Sequence, residues 1–169
     1  RVRMTATFTD RIDIALTVNG EAVEARVPAG RHLVDFLRLD LGLTGAHASC
    51  EHGVCGACTV RVDGQAVRGC LMLAAQADGA EVWTIEGLSD NGSVSDLQAA
   101  FVARNALQCG FCTPGMLVAA ADLLAVGGVP DRATIREHLS GNYCRCTGYE
   151  AIVDAIESVA QARADGGVA

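Results

Sequence analysis

Eight cysteines stand in a chain of 169 residues, and they fall into two sets: Cys50, Cys55, Cys58 and Cys70, then Cys109, Cys112, Cys144 and Cys146. A chain of this length can bury a core without help from sulfur, so the thiols need a chemical reason. Three reasons compete. A disulfide framework suits short secreted chains, whereas the stretch Arg1-Val2-Arg3-Met4-Thr5 shows no signal-type apolar run and a cytoplasmic location is expected. A start at Arg1 points to processing or cloning at that end, which leaves an export signal open. Zinc suits Cys109-Gly-Phe-Cys112 together with Cys144-Arg-Cys146, because four thiolates make a common tetrahedral site. Iron–sulfur chemistry suits the first set, whose intervals of four and two residues, followed by a distant fourth cysteine, match plant-type 2Fe-2S ligation. Cys50-Glu51-His52 supplies the C-x-H half of a Rieske pattern, but the C-x-x-H half occurs nowhere. His52 therefore reads as a loop residue beside the first set. His32, His47 and His138 stand singly, with no spacing that pairs them on a metal.

Composition removes several other classes of function. Twenty acidic residues face thirteen arginines with no lysine, and the net charge of -7 repels a phosphate backbone, so nucleic acid is not an expected partner. The absence of lysine also removes a Walker-type phosphate loop and Schiff-base chemistry. No run approaches the roughly 18 apolar residues of a membrane span, since Asp122 interrupts the best candidate at 116–126. Half the residues are apolar, which is enough for a packed core.

Two kinds of periodicity divide the chain. Ile12, Ile14, Leu16 and Val18 alternate with polar or small residues, Asn19-Gly20 turns the chain, and Val23, Ala25 and Val27 resume the alternation, which predicts a β-hairpin. Leu33, Phe36 and Leu37 recur at helical spacing before Gly42. A second hairpin is expected over 59–68 around Asp63-Gly64, and a further strand over 81–85. From there the polar stretch 86–93 reads as a linker, and four helices are expected over 95–107, 116–126, 131–139 and 149–164. Thr113 before Pro114 and Asp131 before the next apolar run are read as helix caps. The expected fold is α+β, with domains at 1–85 and 94–169. Gly53 and Gly56 let the first cysteine loop fold tightly, with backbone amides turned toward sulfur.

The segments Cys-Glu-His-Gly-Val-Cys-Gly-Ala-Cys, Gln-Cys-Gly-Phe-Cys-Thr-Pro-Gly-Met and Gly-Asn-Tyr-Cys-Arg-Cys-Thr-Gly-Tyr occur in that order along nearly the whole chain. Together they resemble the iron–sulfur component of the molybdenum hydroxylases, the xanthine oxidase family. The resemblance implies a plant-type ferredoxin-like (β-grasp) domain holding one 2Fe-2S cluster, followed by an all-α four-helix domain holding another. It also implies two partners, a large subunit binding a molybdopterin cofactor and a medium subunit binding FAD. Substrate would be oxidised at molybdenum with oxygen from water, and electrons would pass through both clusters to the flavin. This chain would be an electron-transfer subunit of an oxidoreductase with no catalytic residue of its own.

By the same resemblance, Cys50, Cys55, Cys58 and Cys70 match the ligands of the first cluster. Cys109, Cys112, Cys144 and Cys146 match those of the cluster nearest molybdenum, which disfavours zinc there because zinc has no redox role. Gln108 matches the residue that hydrogen-bonds the pterin; its plainer reading is a polar helix end. Gly110 keeps that loop close to the cofactor, and Arg145 either donates to sulfur or pairs with an acidic partner. Ser49 stands where the family more often has glycine, and Tyr143 where an aliphatic residue is frequent. The alternative is an independent two-cluster ferredoxin, against which the positive mean hydropathy argues for surface buried on permanent partners.

Overall fold

The computed structural model describes residues 10–166, so the reading of Arg1 to Thr5 lies outside the described residues. Strands β1 (Arg11–Val18) and β2 (Glu21–Pro28) form the expected antiparallel hairpin. Asn19 and Gly20 take φ values of 52° and 85°, the two left-handed positions that a tight hairpin turn demands. β3 (Thr59–Val62) and β4 (Gln65–Arg68) form the second hairpin, and β5 (Glu81–Trp83) lies between the two. The sheet order is β2-β1-β5-β3-β4, with β5 parallel to β1 and antiparallel to β3.

Helix α1 (Leu33–Asp35) runs directly into a π-helical segment, Phe36–Asp40. Its buried Leu33, Val34, Phe36 and Leu37 join Ile14, Leu16, Val18, Val60 and Val82 in one apolar cluster. Alternation along the strands therefore points the predicted residues inward, except that Ile12, at the strand end, is 40% exposed.

The expected linker 86–93 is instead largely helical: α2 (Ile85–Asp90) buries Ile85 and Leu88. Both apolar side chains belong to the second core, which explains why a polar-looking stretch holds regular structure. That core is built from α3 (Ser95–Ala103), α4 (Thr113–Ala125), α5 (Arg132–His138) and α6 (Glu150–Ala164). α3 stops short of the expected 107, and Asn105 turns left-handed at φ 51° just beyond it. Asp131 caps α5 by accepting the Thr134 N–H at 2.8 Å. Thr113 does not cap α4: it lies inside the helix, Cys112 holds the cap position, and the Thr113 hydroxyl is buried with no hydrogen-bond partner in the described structure.

α4 is the joint between the cores. Its residues from Gly115 to Ala121 are all buried, because β3 and β4 contact it as well as α2, α3 and α5. Small side chains permit that close approach: a Cβ on Gly115 would come within 2.3 Å of the Gly56 carbonyl oxygen. Beside this contact sits Asn142, only 1% exposed. Its Nδ2 donates to Gly56 O at 3.1 Å, and its Oδ1 accepts from Arg68 Nη2 at 3.1 Å. Arg68 also donates to Gly141 O at 2.8 Å and to Thr59 Oγ1 at 2.5 Å.

Buried polar groups stripped of their partners are costly, so Asn142→Ala should destabilise the fold by about 2 kcal/mol. Denaturant unfolding should show this as a lower midpoint at unchanged slope; a midpoint equal to wild type would contradict the role given to this side chain.

Candidate metal centres

The first cysteine loop leaves the π-helical segment and returns to the sheet at β3. Left-handed backbone at Glu51, Gly53 and Gly56 coils it, with φ values of 56°, 83° and 73°. At Gly56 a second constraint applies, because a Cβ would meet Gly141 O at 2.5 Å and Asn142 Nδ2 at 2.6 Å. Cys58 and Cys70 flank the β3–β4 hairpin and are held side by side as Gly69 N donates to Cys58 O at 3.1 Å. Both are buried, at 2% and 3% exposure, whereas Cys50 and Cys55 are half-buried.

The second set comes from two loops. Cys109 and Cys112 precede α4, while Cys144 and Cys146 lie between α5 and α6. All four line one cavity of about 460 Å³ with Ser49, Phe111, Tyr143, Arg145 and Tyr149. Cys55, from the first set, lines the same cavity. A direct bond joins the sets: Tyr143 N donates to Cys55 O at 2.8 Å, one residue before Cys144.

The thiols associate in pairs: Cys50 with Cys55, Cys58 with Cys70, Cys112 with Cys144, and Cys109 with Cys146. The Cys109 and Cys146 sulfurs lie 3.6 Å apart. A disulfide needs about 2.05 Å, whereas two thiolates on one tetrahedral metal, each about 2.3 Å from it, sit about 3.8 Å apart. Among the described residues no three cysteine, histidine or carboxylate side chains gather round a single point. Four thiolates in two pairs suit a 2Fe-2S cluster, in which each iron takes two protein ligands. The residues present fit that group.

Local electrostatics differ among the thiols. Backbone amides around Cys50, led by those of His52 and Cys55, hold its thiol down at about 6. Burial pushes Cys58 up to about 11 and Cys112 up to about 12. Burial also raises Cys144, but the Thr147 hydroxyl and the loop amides outweigh it and keep that thiol below its ordinary value. Metal ligation needs thiolate, so amide and hydroxyl donors favour the bound state while burial keeps water away from it.

The remaining predicted residues are scattered around these sets. Gln108 is exposed, and its Nε2 donates to Cys146 O at 3.1 Å. Gly110 is left-handed at φ 80°. His52 is exposed, and its Nδ1 lies against Cys50 O. His47, read from the sequence as an isolated residue, bridges the two loops: its ring stacks on Phe111 at 4.6 Å, and its Nδ1 donates to Phe111 O at 2.7 Å. Asn142, Thr59 and Arg68 also escape sequence reasoning, since no periodicity or ligand spacing marks them.

A family profile described as "2Fe-2S iron-sulfur cluster binding domain" matches residues 16–85, and one described as "[2Fe-2S] binding domain" matches 84–157. The chain is 52% identical over 149 residues to the caffeine dehydrogenase subunit gamma of Pseudomonas sp. (strain CBB1), covering 86% of this chain and 89% of that one. It is 53% identical over 147 residues to the nicotine 6-hydroxylase small subunit of Paenarthrobacter nicotinovorans, covering 87% and 88%. A chain of the crystal structure of quinoline 2-oxidoreductase from Pseudomonas putida 86 superposes with a TM-score of 0.87 at 48% identity, covering 95% of this chain and 100% of that one. For the aldehyde oxidoreductase from Desulfovibrio gigas the TM-score is 0.83 at 42% identity, and the match covers 92% of this chain but 17% of the other.

Metal analysis of the purified protein should find about four iron and four acid-labile sulfide per chain, as two 2Fe-2S centres demand. Stoichiometric zinc, or iron without sulfide, would overturn the assignment.

Proposed function

The chain belongs to the iron–sulfur subunits of the molybdenum hydroxylases, the xanthine oxidase family, and from this we propose that it relays electrons from a molybdopterin-binding large subunit to the FAD of a medium subunit. When bound, two 2Fe-2S clusters supply one-electron redox chemistry. Everything else asked of this chain is to hold them close together, insulated and correctly faced.

The observation that carries the relay is the contact between the two cysteine sets, where Cys55 shares a cavity with the second set and its carbonyl accepts the Tyr143 N–H. We assign Cys50, Cys55, Cys58 and Cys70 to one cluster and Cys109, Cys112, Cys144 and Cys146 to the other. The former belongs to a ferredoxin-like, β-grasp unit over 1–85 and the latter to a four-helix unit over 94–169, with α2 in the segment that connects them along the chain.

Support for the direction comes from exposure. Cys109 and Cys146 are exposed, and Phe111 and Tyr143 beside them are 45% and 54% exposed, as suits a face covered by the large subunit rather than a freely diffusing shuttle. Gln108 lies at this face; one hydrogen of its amide nitrogen is donated to Cys146 O, and its carbonyl oxygen and second N–H are the groups offered to the pterin. Among the described residues no helix is long and apolar enough to cross a membrane, and the cytoplasm is the compartment we assign. The substrate is the large subunit's concern, because an electron relay does not touch it.

In the assembled complex, Cys50→Ser should leave molybdenum reducible by substrate in rapid-mixing spectra while delaying flavin reduction. Unimpaired flavin reduction after verified loss of that cluster would refute the order. Gln108→Ala should slow the first electron transfer or weaken pterin binding, and it should leave the ferredoxin-like cluster's spectrum unchanged.

A further inference from the structure

The loop that carries Cys144 closes on itself through three hydrogen bonds. The Tyr149 hydroxyl accepts the Cys144 N–H at 2.8 Å. The Tyr149 N–H donates to Thr147 Oγ1 at 3.2 Å, and Thr147 Oγ1 lies 3.1 Å from Cys144 Sγ. With one oxygen lone pair engaged by the Tyr149 amide, the hydroxyl proton is directed at sulfur, and a metal-bound thiolate has no proton to give back. Thr147 is therefore the donor.

The backbone is bent to make this ring. Gly148 is left-handed at φ 68°, and Tyr149 follows at φ 70°, a conformation that bulky residues rarely adopt. The half-buried Tyr149 ring packs against the helical core, so the same side chain that anchors the loop turns its own amide toward Thr147. At the first set, the hydrogen bond to Cys50 Sγ comes from a backbone amide, Cys55 N, at 3.4 Å.

We propose that Thr147 sets the reduction potential of the second cluster by donating a hydrogen bond to the Cys144 thiolate, a role that rests on Cys144 being one of that cluster's ligands. Thr147 donates in both redox states, and its proton stays on oxygen. One electron, delivered from the molybdenum side of the relay, adds one negative charge at the thiolates. A hydrogen bond to an ionised acceptor strengthens as that charge grows. Thr147 thus favours the reduced state, raises the potential, and makes this end of the relay the readier acceptor. Hydrogen bonds to sulfur are among the established determinants of cluster potential.

The test is a redox titration of the purified, complete complex followed by electron paramagnetic resonance, comparing wild type with Thr147→Val and Thr147→Ser. Thr147→Val should lower the second cluster's midpoint potential while leaving the first cluster's unmoved. A tenfold change in the one-electron equilibrium corresponds to about 59 mV. Thr147→Ser, which keeps the hydroxyl, should stay close to wild type. A Thr147→Val complex with full iron and an unshifted potential would overturn the role of Thr147 alone. If Thr147→Val fails to hold the cluster while Thr147→Ser holds it at wild-type potential, the hydroxyl serves assembly, and the proposal is likewise overturned. Cys144→Ser examines the underlying assignment separately: loss or alteration of the second cluster's signal supports Cys144 as a ligand, and an unchanged signal sinks that assignment.

Discussion

Asn142 is the point on which the two halves of this molecule turn. It lies two residues before Cys144, and its side chain reaches the carbonyl of Gly56, which lies between Cys55 and Cys58. One buried amide thus fixes one cysteine loop against the other. Arg68 and Thr59 complete the polar knot, so the Gly141 carbonyl and the Thr59 hydroxyl have partners here. Gly56 and Gly115 supply the other half of the constraint, because backbone this close leaves no room for side chains. An electron relay depends on a fixed spacing between its stations, and a joint held by a buried, hydrogen-bonded Asn142 provides one that an open hinge could not.

Charge sets the second requirement. The chain is acidic, at -7, yet it must hold centres whose thiolates and sulfides add further negative charge. No lysine assists. Near the sulfurs, apart from Arg145 at the second set, the work falls to fixed dipoles: amides around Cys50 and the Thr147 hydroxyl at Cys144. These partial charges need little reorganisation when an electron arrives. Much of the arginine lies elsewhere, as in Arg132 bridging α5 to Glu150, Asp154 and Glu157 on α6, and Arg163 pairing with Asp96 on α3. Exposed pairs of this kind contribute modestly to stability, and they bind helices to one another rather than addressing sulfur.

The two cysteine sets are insulated unequally. Cys58 and Cys70 lie in the sheet's own core, whereas Cys109 and Cys146 face outward beside Phe111 and Tyr143. A subunit that exchanges electrons with a partner must bring one centre close to its surface, and under the proposed assignment the helical half does so. His47 stacked on Phe111 lends that exposed loop a brace from the first half.

The sequence by itself marked the two cysteine sets as ligand candidates and placed the tight turns, because ligand spacing and turn chemistry are local properties. Asn19-Gly20 and Asp63-Gly64 adopt the left-handed angles their types favour, and the alternation at Ile14, Leu16 and Val18 faces inward as a period of two requires. Local propensity did not extend to the segment between the two periodic halves. The stretch 86–93 reads as a linker because Leu88 is its one large apolar residue, and only packing of Leu88 and the preceding Ile85 against the helical core makes it helical over Ile85–Asp90. Thr113 carried the chemistry of a cap, yet helix α4 begins one residue earlier than that reading required. Tertiary structure alone decided that β5 would lie parallel to β1, that Tyr143 would meet Cys55, and that Thr147 would aim at Cys144. The first two are contacts between residues far apart in the chain, which no periodicity encodes. The third depends on a left-handed turn at Tyr149, a residue type whose intrinsic preference runs the other way, and it persists because the ring packing and the hydrogen bonds around it outweigh that preference.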